Sequence, residues 1–577
     1  MTLEGSVPRP LWTVASPVPD DVVAALGMPR LWAQVLYNRG IQDAETAQDL
    51  LDATQNALHD PFLFDDMDIA VRRILQAIRD GETIGVFGDF DTDGVTATVL
   101  LYESLRALGG TAIAHIPHRV RDGHGLNIDA VNDMRSRGAT LVITVDCGIT
   151  SVEEVRAAKE LGMEVILTDH HAPLTGLPDA YAVVTPRRAV DAYPFPFLTG
   201  AGIAFKLVQA LHQVQETEVS EGALELAALG TVADMAPLLG ENRALATLGL
   251  AELRRTKRPG MLALLEAAHT TSASLDHESI PFVIAPRLNA AGRMDTADLS
   301  FDMLTAPDMD TARELAAQVE QLNQQRRELT GTLVKEGVEQ ASQQVKGESL
   351  IFLASEEFEP GVSGLVAGRL VERFYRPAIV VSIDGDIARA SGRSIPEFNL
   401  GEALASCEEL FHRFGGHPAA AGFVADKSNL EAIKDRLQAL AREQLKDIAL
   451  EPTLKIDAQV DFKDVLGETY KFLRSLAPFG QEHPAPSFLA RNVEVTDLRQ
   501  MGTEGQHMRL TLRQSGAKWD AVAFNQRWPE GLSMPGNSNG QNSNMPSIDV
   551  VYIPEINNFN GRSTMQFRLL DLRASEG

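Results

Sequence analysis

The most constraining feature of this chain is an alternation that runs from about residue 66 to 240. "IAVRRILQAIRDG" reads as a helix with a glycine stop, "TIGVFGDF" as a buried strand, and "VTATVLLYESLRALGG" as a second glycine-terminated helix. "TAIAHIP", "NIDAVNDMRSRG", "TLVITVDCG", "SVEEVRAAKELG" and "EVILTDHH" continue it as strand, helix, strand, helix, strand. Strand–helix–strand units at this spacing predict a mostly parallel sheet with helical crossovers. Such a sheet brings its strand C-termini to one edge, and ligands of open α/β sheets bind outside that edge.

Three strands of this run end in polar clusters. They are Asp89, Asp91 and Asp93 after "TIGVF", Asp146 after "TLVITV", and Asp169, His170 and His171 after "EVILT". Crowded carboxylates raise one another's pKa unless something offsets their charge. A pair of divalent cations would do so, and the added imidazole suits Mn²⁺ or a similar ion better than Ca²⁺. Two metals about 3.5–4 Å apart activate water and steady an in-line displacement at phosphorus. Gly94 is expected to close the turn after the acids. The bland alternative is a set of solvated turn aspartates. A second rival is the haloacid dehalogenase turn, D-x-D-G with the first Asp as nucleophile, which "DTDGVT" fits. It leaves Asp146 and "TDHH" without a role.

Further along, residues 309–345 read as one long polar helix, with Leu315, Val319 and Leu322 at helical spacing. High polarity suits a helix that bridges two domains. Residues 349 to about 440 form a second α/β unit, in which "FHRFGGHPAAAGF" reads as a glycine-rich turn leading into small residues. From 453 the pattern is β-rich, interrupted by the insert "PGNSNGQNSNMP", and predicts a small β domain, plausibly a barrel. Trp519 and Phe524 are candidates there for base stacking or for the core.

The 577 residues suggest three or four domains. A formal net charge of −27 argues against broad nucleic-acid binding by lysine and arginine. It leaves room for a polyanion held by cations and a focused arginine cleft. Arg287 and Arg293 flank "LNAAG", which includes Asn289. Their planar guanidinium groups suit bidentate phosphate contact, and a surface ion pair is the alternative for each. The two cysteines, Cys147 and Cys407, form no disulfide framework and fit a reducing compartment. The start lacks a signal-peptide pattern and no apolar run is long enough for a bilayer, so a cytoplasmic protein without membrane association is expected.

"GDFDTDG", "RDGHGLN", "VITVDCGIT" and "ILTDHH", in that order, resemble the four N-terminal motifs of the DHH phosphoesterase superfamily. "AALGTVADMAPL" resembles the next motif, and "APRLNAAGRM", "ASGRSIP" and "FGGHPAAAG" resemble the RecJ exonuclease branch with its DHHA1 domain. The match runs from about residue 60 to 440.

The resemblance implies an N-terminal segment (1–60) packing on a parallel-sheet DHH domain (61–305), a connecting helix (306–347), a smaller α/β DHHA1 domain (348–445) and an OB-like β-barrel (450–577). It implies a 5′-to-3′ exonuclease acting on single-stranded DNA with two divalent ions, Mn²⁺ or Mg²⁺, in repair and recombination. Asp91 would bind the first metal and Asp93 the second, Asp146 would bridge them, and His170 and Asp234 would complete the second site. Asp89 joins the first site, while His171 faces a phosphate or a ligand's surroundings. Arg119, His124, Asn289, Arg287, Arg293, Ser391, Arg393, Gly415, Gly416 and His417 would contact substrate, part of this set as a pocket for a 5′ phosphate. A monomer is expected, with a single-strand binding protein and a RecQ-type helicase as partners. The chain departs from the pattern at Phe358 and Glu359, where Trp-His is usual, and at His124, where a tyrosine is common. No metal-ligand position is lost.

Overall fold

The computed structural model describes residues 8–52, 57–173, 176–188, 193–502, 505–529, 532, 534–535, 546–559 and 562–575. Most of the Asn/Gly/Ser-rich insert lies outside these residues. The chain divides into two compact units, one dominated by Ala53–Leu450 and the other by Arg9–Asp52 and the residues from Glu451 onward.

In the first unit, β1 (Thr83–Phe87), α1 (Thr92–Ala107), β2 (Thr111–His115), α2 (Ile128–Ser136), β3 (Ala139–Val145), α3 (Val152–Glu160), β4 (Glu164–Thr168) and β5 (Ala182–Val184) follow one another. The strands form a five-stranded sheet ordered β2-β1-β3-β4-β5, with every pairing parallel. The near-continuous apolar strands β1, β3 and β4 are buried on both faces, as a helix-covered parallel sheet requires. Alternation along them fills two cores. Ile84, Val86, Ile143 and Ile166 face one, and Phe87, Val142, Val165 and Leu167 face the other. Helices α4 (Gly200–Val214), α5 (Ala223–Ala233) and α6 (Ala285–Met294) are among the further helices of this domain and bear on the site.

The long helix α7 runs over Met309–Gln344. At 1.5 Å per residue it spans about 54 Å. Its N-terminal half buries Ala312, Ala316 and Val319 in the core of the first domain, and its C-terminal half buries Leu333 and Ala341 in the core of the next. That division accounts for its polarity, since each half offers only a narrow apolar stripe to its own neighbour.

Beyond it, β6 (Ile351–Ser355), α8 (Pro360–Phe374), β7 (Ala378–Asp384), β8 (Ile387–Arg393), β9 (Arg413–His417) and β10 (Ala420–Asp426) form a sheet ordered β9-β10-β8-β7-β6. The glycine-rich stretch expected as a turn is instead a hairpin of two antiparallel strands, with Gly415 opposite Gly422. Its true turn is Pro418–Ala419.

The second unit holds a closed barrel. Phe488–Met501, His507–Gln514, Ala517–Ala523, Arg562–Ala574 and Ser547–Phe559 pair in sequence, and the last closes onto the first. Residues 9–52 belong to this unit and not, as expected, to the parallel-sheet domain. Leu11–Val14 pairs with Thr453–Ile456, and Val22, Leu26, Val35 and Leu36 share a core with Phe462, Phe488 and Tyr552. Trp519 packs near Phe462 and Phe567, whereas Phe524 is half exposed beside His507. Both cysteines are free and buried. Among the described residues no helix is long and apolar enough to cross a membrane.

Candidate metal centre

The three strand ends meet as the pattern requires. β1 delivers Asp89, Asp91 and Asp93, β3 delivers Asp146, and β4 delivers Asp169, His170 and His171. Asp91 caps α1, its Oδ1 accepting from the Asp93 and Gly94 amides at 2.9 and 3.1 Å. Asn289 fixes the same turn, with the Thr92 amide donating to its Oδ1 at 2.9 Å. Gly94 does not close a turn. It lies inside α1, where a Cβ would come 2.5 Å from the Asp89 carbonyl oxygen, so glycine is needed for close packing.

Asp93 is buried and accepts from the amides of Gly200 (2.7 Å) and Ala201 (2.9 Å), the free N–H groups that open α4. Asp146 ends β3 with φ +62°. A Cβ on Gly200 would lie 2.3 Å from the Asp146 Cβ, and one on Gly230 would lie 2.3 Å from Asp93 Oδ1. The approach of α4 and α5 to the acids therefore depends on these two glycines. α5 ends at Asp234.

Three donor groups each have their ligand atoms within 4.8 Å of one another: two that share no residue, Asp89, Asp91 and Asp146, and Asp93, His170 and Asp234, and a third, Asp146, His170 and His171, that draws on both. His170 Nε2 stands 3.1 Å from Asp146 Oδ1, which joins the first two. Burial, then the Asp91 charge, lifts Asp93 to about 7. Burial, then Asp93 and Asp91, lifts Asp234 to about 8. Asp146 is driven well above the carboxylate range by burial and by four neighbouring acids. Burial and His171 press His170 down to about 3, so it is a neutral imidazole. Asp89 Oδ1 is buried without a hydrogen-bond donor among the described residues, and the buried Asp146 Oδ1 has only the His170 ring near it, in no well-formed hydrogen bond. Crowded carboxylate oxygens with few donors, beside a neutral imidazole, fit a cation site.

Asp169 is in none of these groups. It accepts from the Ile149 amide at 2.9 Å and holds His171 Nδ1 at 2.7 Å. Burial opposes charge on His171, but the Asp169 hydrogen bond and the charges of Asp169, Asp89 and Asp234 outweigh it and raise the ring to about 9. The His417 ring lies nearly parallel to it at 6.2 Å.

The arginines separate into two sets. Arg119 lies 4.0 Å over the Phe90 ring, between Asp89 and Asp91 in sequence. Arg293 donates to the Gly361 carbonyl at 3.0 Å, and burial, then Arg119, Arg393 and Arg326, lowers it to about 9. Burial, then Arg119, also lowers Arg393. Burial lowers Arg119 as well, against the pull of Asp91 and Asp89, so three buried cations gather beside the first donor group, an arrangement that suits an anion. Arg287 stands apart, bound by Glu320 of α7 at 2.5 Å and by the Val283 carbonyl. The ion-pair alternative holds for it, and no contact to substrate is assigned to it.

His124 lies 3.0 Å from Asp89 and 4.3 Å from the Phe90 ring, largely exposed. Ser391 and Arg393 end β8, and Gly415, Gly416 and His417 line the exposed β9. Gly416 has φ +137°, a backbone state open to glycine. Phe358 is buried with Val362 and Leu333 and Glu359 is exposed, so the departure from Trp-His leaves an apolar anchor. Gly200, Ala201, Gly230 and Arg187 were not singled out from sequence. The small-residue run "LTGAG" before an apolar helix was the one available signal for the first two.

A parallel sheet with this acid and imidazole cluster at its C-terminal edge defines a DHH-type phosphoesterase. The DHH family N-terminal domain matches residues 83–231, the DHHA1 domain 347–443 and the RecJ OB domain 456–571. The chain is 38% identical to the single-stranded-DNA-specific exonuclease RecJ of Bacillus subtilis, across 98% of this chain and 71% of that one. It is 32% identical to the Escherichia coli protein of the same name, across 93% and 95%. The structure of Thermus thermophilus RecJ in complex with Mn²⁺ superposes with a TM-score of 0.83 at 31% identity, covering 99% of this chain and 80% of that one. The chain belongs to the RecJ family of single-stranded-DNA-specific exonucleases. The dehalogenase reading of "DTDGVT" falls with that finding.

Proposed function

We propose that this chain removes 5′-mononucleotides from single-stranded DNA, working 5′ to 3′ by two-metal phosphodiester hydrolysis, in DNA repair and recombination. The observation that carries this reading is the pair of donor groups joined at Asp146, with arginines of both α/β domains beside it. Asp89, Asp91 and Asp146 would hold one divalent ion, and Asp93, His170 and Asp234 a second shared with Asp146. Mn²⁺ and Mg²⁺ are the ions in the two Thermus thermophilus RecJ complexes. When bound, such ions lower the pKa of water and draw charge from phosphoryl oxygens.

The chain's own groups do the rest. Arg119, Arg293 and Arg393 take the terminal phosphate, assisted by Ser391. A terminal phosphate carries about −1.5 to −2, against −1 for an internal diester, so mutually repelling cations favour the strand end. His171 holds its proton at neutral pH, with Nδ1 committed to Asp169 and Nε2 left to donate to a phosphate oxygen. His124, Gly415, Gly416 and His417 line the path of the strand. The barrel collects single strand by backbone contact and stacking, for which half-exposed Phe524 is available. The protein acts as a cytoplasmic monomer, with a single-strand binding protein and a RecQ-type helicase as partners.

End-labelled single strands and duplexes, with and without 5′ phosphate, test the reading under Mg²⁺ and Mn²⁺. Mononucleotides should appear first from the 5′ label on single strands, and duplex should be spared. Earlier release from a 3′ label would overturn the polarity. Arg393→Ala is expected to lower kcat/KM on 5′-phosphorylated strands by roughly 10- to 100-fold, the worth of a charged hydrogen bond, and to lower it much less on 5′-hydroxyl strands. Gly200→Ala should cost about 1–3 kcal/mol of stability by overpacking and weaken Mn²⁺ binding measured by calorimetry. Unaltered Mn²⁺ affinity would remove Asp146 from the ligand set.

A further inference from the structure

Arg187 and Phe197 lie beside a different part of the metal centre from Arg119 of the arginine trio. Arg119 adjoins the first donor group through Phe90, whereas Arg187 adjoins the second, its Nε donating to the His170 carbonyl at 3.2 Å. Among the described residues the Arg187 guanidinium meets no carboxylate. It approaches the Phe197 ring at 5.9 Å. It is exposed, so this cation is neither neutralised nor buried.

Phe197 is 41% exposed, two residues before the Thr199 cap of α4, and rests edge-on against Phe195 at 5.7 Å. Met235 directly follows Asp234 and is 63% exposed with φ +60°. A bulky side chain in the left-handed region is strained and persists where its surroundings hold it, commonly at functional sites. The buried Asn242 supplies that hold. Its Nδ2 donates to the Phe197 carbonyl at 2.6 Å and to the Pro237 carbonyl at 3.1 Å, fastening the two loops together. Two exposed apolar side chains are thus fixed beside two elements of the metal centre, near a cation that meets no carboxylate among the described residues. Exposed aromatic surface beside an unpaired arginine is what a nucleobase and its phosphate require.

We infer that Phe197 and Met235 form a platform for the base of the second nucleotide from the 5′ end, and that Arg187 binds the phosphate that follows it. The inference rests on the proposed exonuclease reading. If the first nucleotide's phosphate occupies the trio and the scissile phosphate lies over the metals, the strand continues toward the second donor group. The platform then sets the register of cleavage, because a seated second base fixes which phosphate faces Asp146.

The test is a cycle of enzyme and substrate variants. Wild type, Phe197→Ala and Phe197→Leu are compared on 5′-phosphorylated single strands with one abasic nucleotide at position 1, 2 or 3. Wild type should lose on the order of tenfold in kcat/KM when position 2 is abasic. Phe197→Ala and Phe197→Leu should be slowed to a similar degree on intact DNA and show no further loss with position 2 abasic. Mn²⁺ affinity by calorimetry should match wild type in both, and Phe197→Leu retains apolar bulk against Phe195. Arg187→Gln should weaken the salt dependence of KM. An undiminished abasic effect in the Phe197 variants, or coupling to position 1 or 3, would overturn the platform. Absence of 5′ digestion by wild type would instead overturn the reading on which it rests.

Discussion

Asp146→Asn is expected to abolish hydrolysis, lowering kcat by about a thousandfold or more, on the scale of losing a principal charge-stabilising group, while raising the stability of the metal-free protein. Asparagine is isosteric and tolerates the left-handed backbone that Asp146 adopts at φ +62°. Alanine there would confuse backbone strain with lost chemistry. The carboxyl is the hub of the cluster: burial and then Asp93, Asp91, Asp89 and Asp234 all oppose its ionisation. Without metal the wild-type carboxyl must take up a proton to be buried there, and an amide is neutral without one, so the chelator-treated variant should melt above chelator-treated wild type. The same amide presents N–H donors where a cation needs a lone pair, so the rise in Tm on adding Mn²⁺ should vanish. Activity on a 5′-labelled single strand and paired melts with and without Mn²⁺ read both effects. Undiminished activity would sink the bridging role of Asp146. Lost activity with an intact Mn²⁺-induced shift in Tm would confine Asp146 to positioning.

The parts of this molecule that could be read from sequence are those governed by local periodicity. The apolar strands "TIGVF", "ATLVITV" and "EVILT" are buried on both faces, and their polar ends fall on one edge because parallel strands leave no other arrangement. The three residues that cap helices near the site, Asp91, Asn127 and Thr199, hold their first turns by side-chain acceptors, a signal carried within a few residues. What was not legible depends on partners far along the chain. Arg287 finds Glu320 on α7, and nothing in "APRLNAAGRM" distinguishes an arginine aimed at an acid from one aimed at a phosphate. The N-terminal helices display an apolar face, but not which core receives it. Leu11–Val14 finds its strand at Thr453–Ile456. Gly94, read as a turn, is required by the backbone of Asp89 pressing against α1. Gly200 and Gly230 were missed because their role is the absence of a side chain opposite an acid on another element.

The same cluster sets a pH dependence whose sign differs between metal-free and metal-loaded protein. Asp93 and Asp234 have folded pKa values near 7 and 8, above the ordinary carboxylate value of 3.8. A raised group favours the folded state at low pH and loses that stabilisation as pH climbs through its folded value. His171, raised to about 9, acts in the same direction above pH 6.5. His170, lowered to about 3, acts oppositely, but only below 6.5, where the unfolded imidazole takes up its proton. Between pH 6.5 and 8 the signs agree. Each proton that the folded state retains and the unfolded state does not tilts stability by about 1.4 kcal/mol per pH unit. Chelator-treated protein should therefore show a Tm that falls across this window. Divalent ions bind the ionised carboxylates and expel the retained protons, so the Mn²⁺-saturated Tm should stay nearly level and the gap between the two should widen with pH. Calorimetry of Mn²⁺ binding at pH 7, repeated in buffers of different ionisation enthalpy, should register proton release. A chelator-treated Tm that rises from pH 6.5 to 8, together with Mn²⁺ binding that releases no protons, would mean that the carboxyls are already ionised without metal. The repulsion at "GDFDTDG" would then have to be offset by the arginines Arg119, Arg293 and Arg393, and removing Arg119 would be the change that restores the falling profile.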